Sequence, residues 1–142
     1  MTGGDSYDSA AASHRALRGI RLELEGHPAV VKAQGFPADT HTRVVAELNP
    51  QHLDESISDA TVTVRWFTGE TSDARPEFSF HYADETGRDF GWHHDPNPHV
   101  EGWGRFQGRE AVEEEYAYEP QFSSMNPSRV VWEVLALLTS KR

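Results

Sequence analysis

Between Thr61 and His93 the chain changes character at almost every second residue, and no other feature constrains its fold as much. Val62, Val64 and Trp66 alternate with Thr63 and Arg65. Phe78, Phe80 and Tyr82 alternate with Ser79 and His81, and Phe90 and Trp92 alternate with Gly91 and His93. A period of two belongs to strands with one buried and one wet face. Antiparallel sheets tolerate that arrangement, whereas parallel sheets are covered on both faces. A three-residue turn, Glu85-Thr86-Gly87, with glycine at the left-handed position, closes the last two strands into a hairpin. It pairs Tyr82 with Phe90, His81 with Gly91, Phe80 with Trp92 and Ser79 with His93. A turn one residue longer would scatter the aromatics over both faces. Pairing Trp66 with Phe80 extends the pattern backwards and sets Arg65 opposite His81. The expected sheet has an aromatic core face and an outer face carrying Arg65, Ser79, His81 and His93, with a shallow depression at Gly91.

The flanking segments supply the other layer. Ser13 can cap a helix running to about Glu25, with Leu17, Ile20 and Leu24 on one stripe and Gly26 and Pro28 as stop signals. Five strands are expected: Ala29–Phe36, Thr42–Leu48, Thr61–Phe67, Glu77–Ala83 and Arg88–His93. A last helix starts at Asn126 as cap and Pro127 as first residue, with Val131, Val134, Leu135 and Leu138 as its stripe. Residues 1–9 read as a loose polar tail and 10–142 as a single domain. The expected fold is α+β, a five-stranded, mainly antiparallel sheet with an N-terminal and a C-terminal helix packed on one face.

Composition narrows the chemistry. No cysteine occurs among the 142 residues, which excludes disulfides, thiol nucleophiles and sulfur-ligated metals. Acidic residues outnumber basic ones 23 to 13, giving a net charge of -10. Only two of the basic residues are lysines, Lys32 and Lys141, and the acids are spread along the chain. Even spread with scarce lysine predicts a surface solvated for high salt, where the charge neither attracts nor repels partners at long range. No segment is apolar enough to span a membrane, and Met1-Thr2-Gly3-Gly4-Asp5 lacks the features of a signal peptide, so the expected location is cytoplasmic.

Trp92-His93-His94-Asp95-Pro96-Asn97-Pro98-His99 holds three of the eight histidines. Its prolines bar a helix and stiffen a loop at a strand end. Three readings stay open. Paired histidines can divide general base and general acid work and, with an arginine on phosphate, cleave RNA through its own 2′-hydroxyl without a cofactor. His93, Asp95 and His99 could instead ligate a metal ion, although the spacing matches no established signature. The segment could also be a polar turn whose histidines bond the backbone. Downstream, Gly102-Trp103-Gly104-Arg105-Phe106-Gln107-Gly108 reads as a glycine-rich loop that could stack a base on Trp103 and place Arg105 on phosphate. Glu113-Glu114-Glu115-Tyr116-Ala117-Tyr118-Glu119-Pro120 reads as a solvated edge or loop.

Phe80-His81-Tyr82, the acidic turn with Gly87, Trp92 with its polar pair and Pro96-Asn97-Pro98-His99 together resemble a group of small halophilic-archaeal proteins. These in turn are similar to the TumE-type toxins of toxin–antitoxin systems. The resemblance covers about residues 60–140 and rests on His81, Trp92, Asp95, Pro98 and His99. Where the relatives place a second histidine group, this chain has Gly104-Arg105-Phe106-Gln107. The resemblance implies a toxin-type domain acting on RNA and a cognate antitoxin or regulator protein as partner. For such a domain the outer face and the loops beside it give His81, His93, His99 and Arg65 as candidate catalytic residues and Trp103, Arg105, Ser79 and His94 as candidate substrate-binding residues; of these the resemblance itself carries His81 and His99. The alternative is a non-catalytic protein-interaction module.

Overall fold

The computed structural model describes residues 7–53, 57–94, 104–108, 115–116 and 126–140. Ser9–Glu25 forms the first helix, α1. Its cap is Asp8 rather than Ser13: the Asp8 carboxylate accepts the Ala11 N–H at 3.1 Å. Ser13 lies inside the helix and is buried, and its hydroxyl accepts the N–H of Thr68 at 3.0 Å. The Tyr7 hydroxyl also bonds the Thr68 hydroxyl, at 2.9 Å. A residue able to cap is thus used to tie the helix to the sheet, and the aspartate ahead of it takes the free N–H groups. Gly26 ends the helix as expected, its N–H reaching back to Leu22 and Glu23.

The five expected strands are present as β1 (Val30–Phe36), β2 (Arg43–Leu48), β3 (Ala60–Phe67), β4 (Glu77–Asp84) and β5 (Asp89–His94). The sheet then continues. Gly104–Gly108, expected as a loop, is strand β6, and Glu115–Tyr116 is the short edge strand β7. An open edge on β5 offers a full row of backbone donors and acceptors, which local glycine content does not outweigh. Strand order follows chain order from β1 to β7, and every pairing is antiparallel.

The second helix, α2, spans Pro127–Ser140, and Asn126 caps it by accepting the Arg129 N–H at 3.4 Å. Val130, Val131, Val134 and Leu135 are buried in one cluster with Leu17, Ile20 and Leu24 of α1 and the aromatic face of the sheet; the Leu138 side chain is outside the described residues. Helix α1 lies across β1, β2 and β3 and against α2. The fold is therefore α+β, with both terminal helices on the core face. Among the described residues no helix is long and apolar enough to cross a membrane.

The β4–β5 hairpin has the register that its turn implies: Tyr82 opposite Phe90, His81 opposite Gly91, Phe80 opposite Trp92 and Ser79 opposite His93. Gly87 takes φ +94°, a conformation that side chains disfavour. The Asp84 carboxylate accepts the Thr86 N–H at 2.9 Å and the Tyr82 hydroxyl at 2.6 Å. Burial alone would raise its pKa, but these bonds together with Thr86 Oγ1 and the Arg88 backbone outweigh burial and hold it below its ordinary value. Burial, and then the bond to Asp84, pushes the Tyr82 pKa up.

The β3–β4 register differs from expectation. Trp66 faces Phe78, not Phe80, and Arg65 faces Ser79, not His81; Thr63 takes the place opposite His81. The shift is two residues, so every side chain stays on its expected face. It brings the Trp66 and Phe78 rings parallel, with centroids 4.5 Å apart. In the connection after β3, Gly69 takes φ +99°, and a side chain there would strike Ala74.

Candidate functional site

Side chains facing away from the core fall into cross-strand rows, because directly opposed residues in antiparallel pairs point the same way. One row reads Phe36, Arg43, Arg65, Ser79 and His93, on β1 to β5 in turn. Arg105 occupies the next register position, on β6 opposite His93. The adjacent row toward the hairpin reads Thr63, His81 and Gly91. His81 and His93 are diagonal neighbours on adjoining strands, a separation of about 7–8 Å. The structure thus brings together four of the expected site residues: Arg65, Ser79, His81 and His93.

His81 has a partner that the sequence reading missed. Its Nε2 contacts the carboxylate of Asp89, which sits at the start of β5 on the same face. Side-chain exposure is 45% for His81 and 27% for Asp89, so the pair is open to solvent on the histidine side. A carboxylate on one imidazole nitrogen keeps the proton there and leaves the other nitrogen as an acceptor. The depression expected at Gly91 is not empty. A Cβ at that position would stand 2.5 Å from the Phe80 carbonyl oxygen and 3.1 Å from His81 Nδ1. The glycine is there to admit the His81 imidazole, which lies over it.

A cavity of about 480 Å³ opens at the end of the sheet where β3 stops and β4 begins. Arg65, Ser79 and His93 line it from the outer-face row, joined by Phe67, Glu77 and His41. Its far wall is the first turns of α1, at Ser9, Ala10 and Ser13. His81 stands outside it, one row away. His41 is buried over Gly35, where any side chain would collide with its ring. Its Nδ1 lies 2.8 Å from the Pro37 carbonyl oxygen, and its backbone N–H donates to His14 Nδ1 at 2.9 Å. A carbonyl only accepts, so His41 Nδ1 carries a proton and the wall is rigidly held.

His94 is separated from the others. It lies on the core face, only 7% exposed, with its ring parallel to Phe78 at 4.7 Å and its Nδ1 3.0 Å from the Pro76 carbonyl oxygen. Strand β5 runs one residue further than its pattern suggested, and alternation turns position 94 inward. Asp95, His99 and Trp103 lie outside the described residues, as does the side chain of Arg105. Among the described residues no three His, Asp or Glu side chains are grouped to hold a metal ion. Two members of the proposed ligand set, Asp95 and His99, are outside that group of residues.

Asp89 was within reach of the hairpin arithmetic that located His81, since the turn also sets Ala83 opposite Asp89. Arg43, Glu77 and His41 carried no such signal, because their positions depend on longer connections. Comparison with protein-family models, with curated proteins and with solved structures gives no match for this chain.

Proposed function

We propose that the chain is a cytoplasmic toxin-type protein that cleaves RNA on the outer face of its sheet, using the RNA's own 2′-hydroxyl as nucleophile. The observation that carries this is the diagonal placement of His81 and His93 on one solvent face, with Arg65 beyond Ser79 beside an open cavity. Two imidazoles about 7–8 Å apart can reach opposite sides of one phosphorus atom.

His81, held through Nε2 by Asp89, is the general base: its free nitrogen takes the 2′-hydroxyl proton. The 2′-oxygen attacks phosphorus, and the bond to the 5′-oxygen breaks. His93 donates the proton that the leaving 5′-oxygen needs. Arg65 stabilises the extra negative charge on the phosphoryl oxygens. The products are a 2′,3′-cyclic phosphate and a 5′-hydroxyl, and neither oxidant nor added water enters this step. The resemblance to TumE-type toxins supports the same substrate class and adds a cognate antitoxin as the partner that would restrain it.

The test is incubation of purified protein with end-labelled RNA in the presence of a chelator. Fragments ending in cyclic phosphate are expected. His81→Ala and His93→Ala should each slow their appearance by at least about 100-fold, and Asp89→Asn, which removes the carboxylate that orients the His81 ring, should slow it by a smaller factor. Intact RNA from the wild-type protein, or cutting unaffected by both histidine substitutions, would remove the proposal and leave a protein-interaction module.

A further inference from the structure

In a chain of net charge -10, the cations of the outer face are distributed unevenly. In the rows nearer the hairpin they are matched by carboxylates: Lys32 pairs with Glu47 at 3.5 Å, and His81 with Asp89. In the row at the cavity Arg43 and Arg65 are not. Arg43 lies over the Phe36 ring, its guanidinium 5.1 Å from the centroid, and Arg65 is exposed. Neither makes an ion pair among the described residues. Glu77, diagonal to Arg65 and lining the same cavity, makes none with it.

We infer that this row is a track for the backbone of single-stranded RNA, which crosses the strands from β2 toward β6 with one base in the cavity. The inference rests on the cleavage reading above and adds the substrate's form and path. Neighbouring strands are about 4.8 Å apart, so the row from Arg43 to the Arg105 position spans about 19 Å. That is the length of a few nucleotides of one strand, near the smallest site of known single-strand binders. The cavity, at about 480 Å³, is of the size that encloses a small ligand. Phe67, at its rim and on the same face as Arg65, offers a ring for a base to stack on. A single straight row matches one phosphate backbone, whereas a duplex presents two backbones separated by a groove. The chemistry agrees, because in-line attack by a 2′-hydroxyl needs a backbone free to leave the A-form geometry.

A labelled 2′-O-methyl oligonucleotide tests the track without being cut. Single-stranded probe should bind at low salt, with the blunt duplex of the same sequence markedly weaker. Arg43→Gln and Arg65→Gln should each weaken binding about fivefold and lower the slope of log affinity against log salt by about one, whereas Lys32→Gln should change neither. Arg43→Lys should restore most of the affinity, which separates loss of charge from loss of packing on Phe36. No binding, equal binding of duplex, or equal effects of Lys32→Gln and Arg43→Gln would overturn the track. Binding with this pattern but without cleavage of ordinary RNA keeps the track and removes the nuclease. Cleavage indifferent to Arg43→Gln does the reverse.

Discussion

The two faces of the strands β3, β4 and β5 are built to different standards. On the inner face Val62, Val64, Trp66, Phe78, Phe80, Tyr82, Phe90 and Trp92 are all at most 8% exposed. Their rings make two runs of contacts, Trp66 on Phe78 on Phe80 and Tyr82 on Phe90 on Trp92. On the outer face, over the same backbone, stand Thr63, Arg65, Ser79, His81, Gly91 and His93, held by a few polar contacts. The inner face stabilises by area removed from water and is indifferent to which end of the sheet a residue occupies. The outer face is organised by position: cations matched by carboxylates in the rows near the hairpin, and Arg43 and Arg65 without ion pairs among the described residues in the row at the cavity. Stability should therefore reside on one face and chemistry on the other.

The largest effect tests the inner side of that division. Phe80 is 1% exposed at the centre of the ring cluster. Phe80→Ala should cost about 3–5 kcal/mol in denaturant unfolding, because it removes buried area and leaves a cavity that its neighbours fill only in part. A loss below about 1 kcal/mol would mean that the inner face is loosely packed and that the two faces differ less than their burial suggests.

Gly91 is where the division should fail. It belongs to the outer face, yet an added Cβ would meet backbone at the Phe80 carbonyl and the imidazole of His81. The carbonyl is fixed by the ladder, so the strand has to shift. Gly91→Ala should cost about 2–3 kcal/mol and also displace His81 from its place over position 91. Unchanged stability would show that the β4–β5 pair bends there easily. Unchanged RNA cleavage alongside lost stability would show that the proposed base does not need this seat.

How much of this the sequence discloses depends on the length of the connections. The β4–β5 hairpin is legible in full, since a three-residue turn with glycine at its left-handed position allows one register. The same arithmetic places His81 and His93 on a common face. Between β3 and β4 the chain has residues 68–76 to traverse, and no local rule chooses among registers of the same parity. Which face Arg65 takes can therefore be read from alternation, but not that its neighbour is Ser79. Arg43 is further from reach: its pairing with Arg65 spans the connection from Asn49 to Asp59, so the cationic row exists only once the strands are assembled. Strand β6 escapes for a different reason. Its glycines suggest a loop, and pairing with the edge of β5 overrides that preference.

The smallest effect is the sharpest test of the division. Arg65 is exposed, makes no ion pair among the described residues, and lies beside the polar Ser79 rather than over a core ring. Removing its charge takes away no buried contact and leaves no unpaired buried group, so Arg65→Gln should change unfolding free energy by no more than about 0.5 kcal/mol. It could even stabilise slightly, by relieving repulsion from Arg43 directly opposite. The same substitution should slow RNA cleavage at least about tenfold if the guanidinium meets the phosphate in the transition state. A variant that keeps its stability and loses its rate would put the chemistry on the outer face alone. A variant that loses both would make Arg65 part of the sheet's own support, and the cationic row would then need no substrate to account for it.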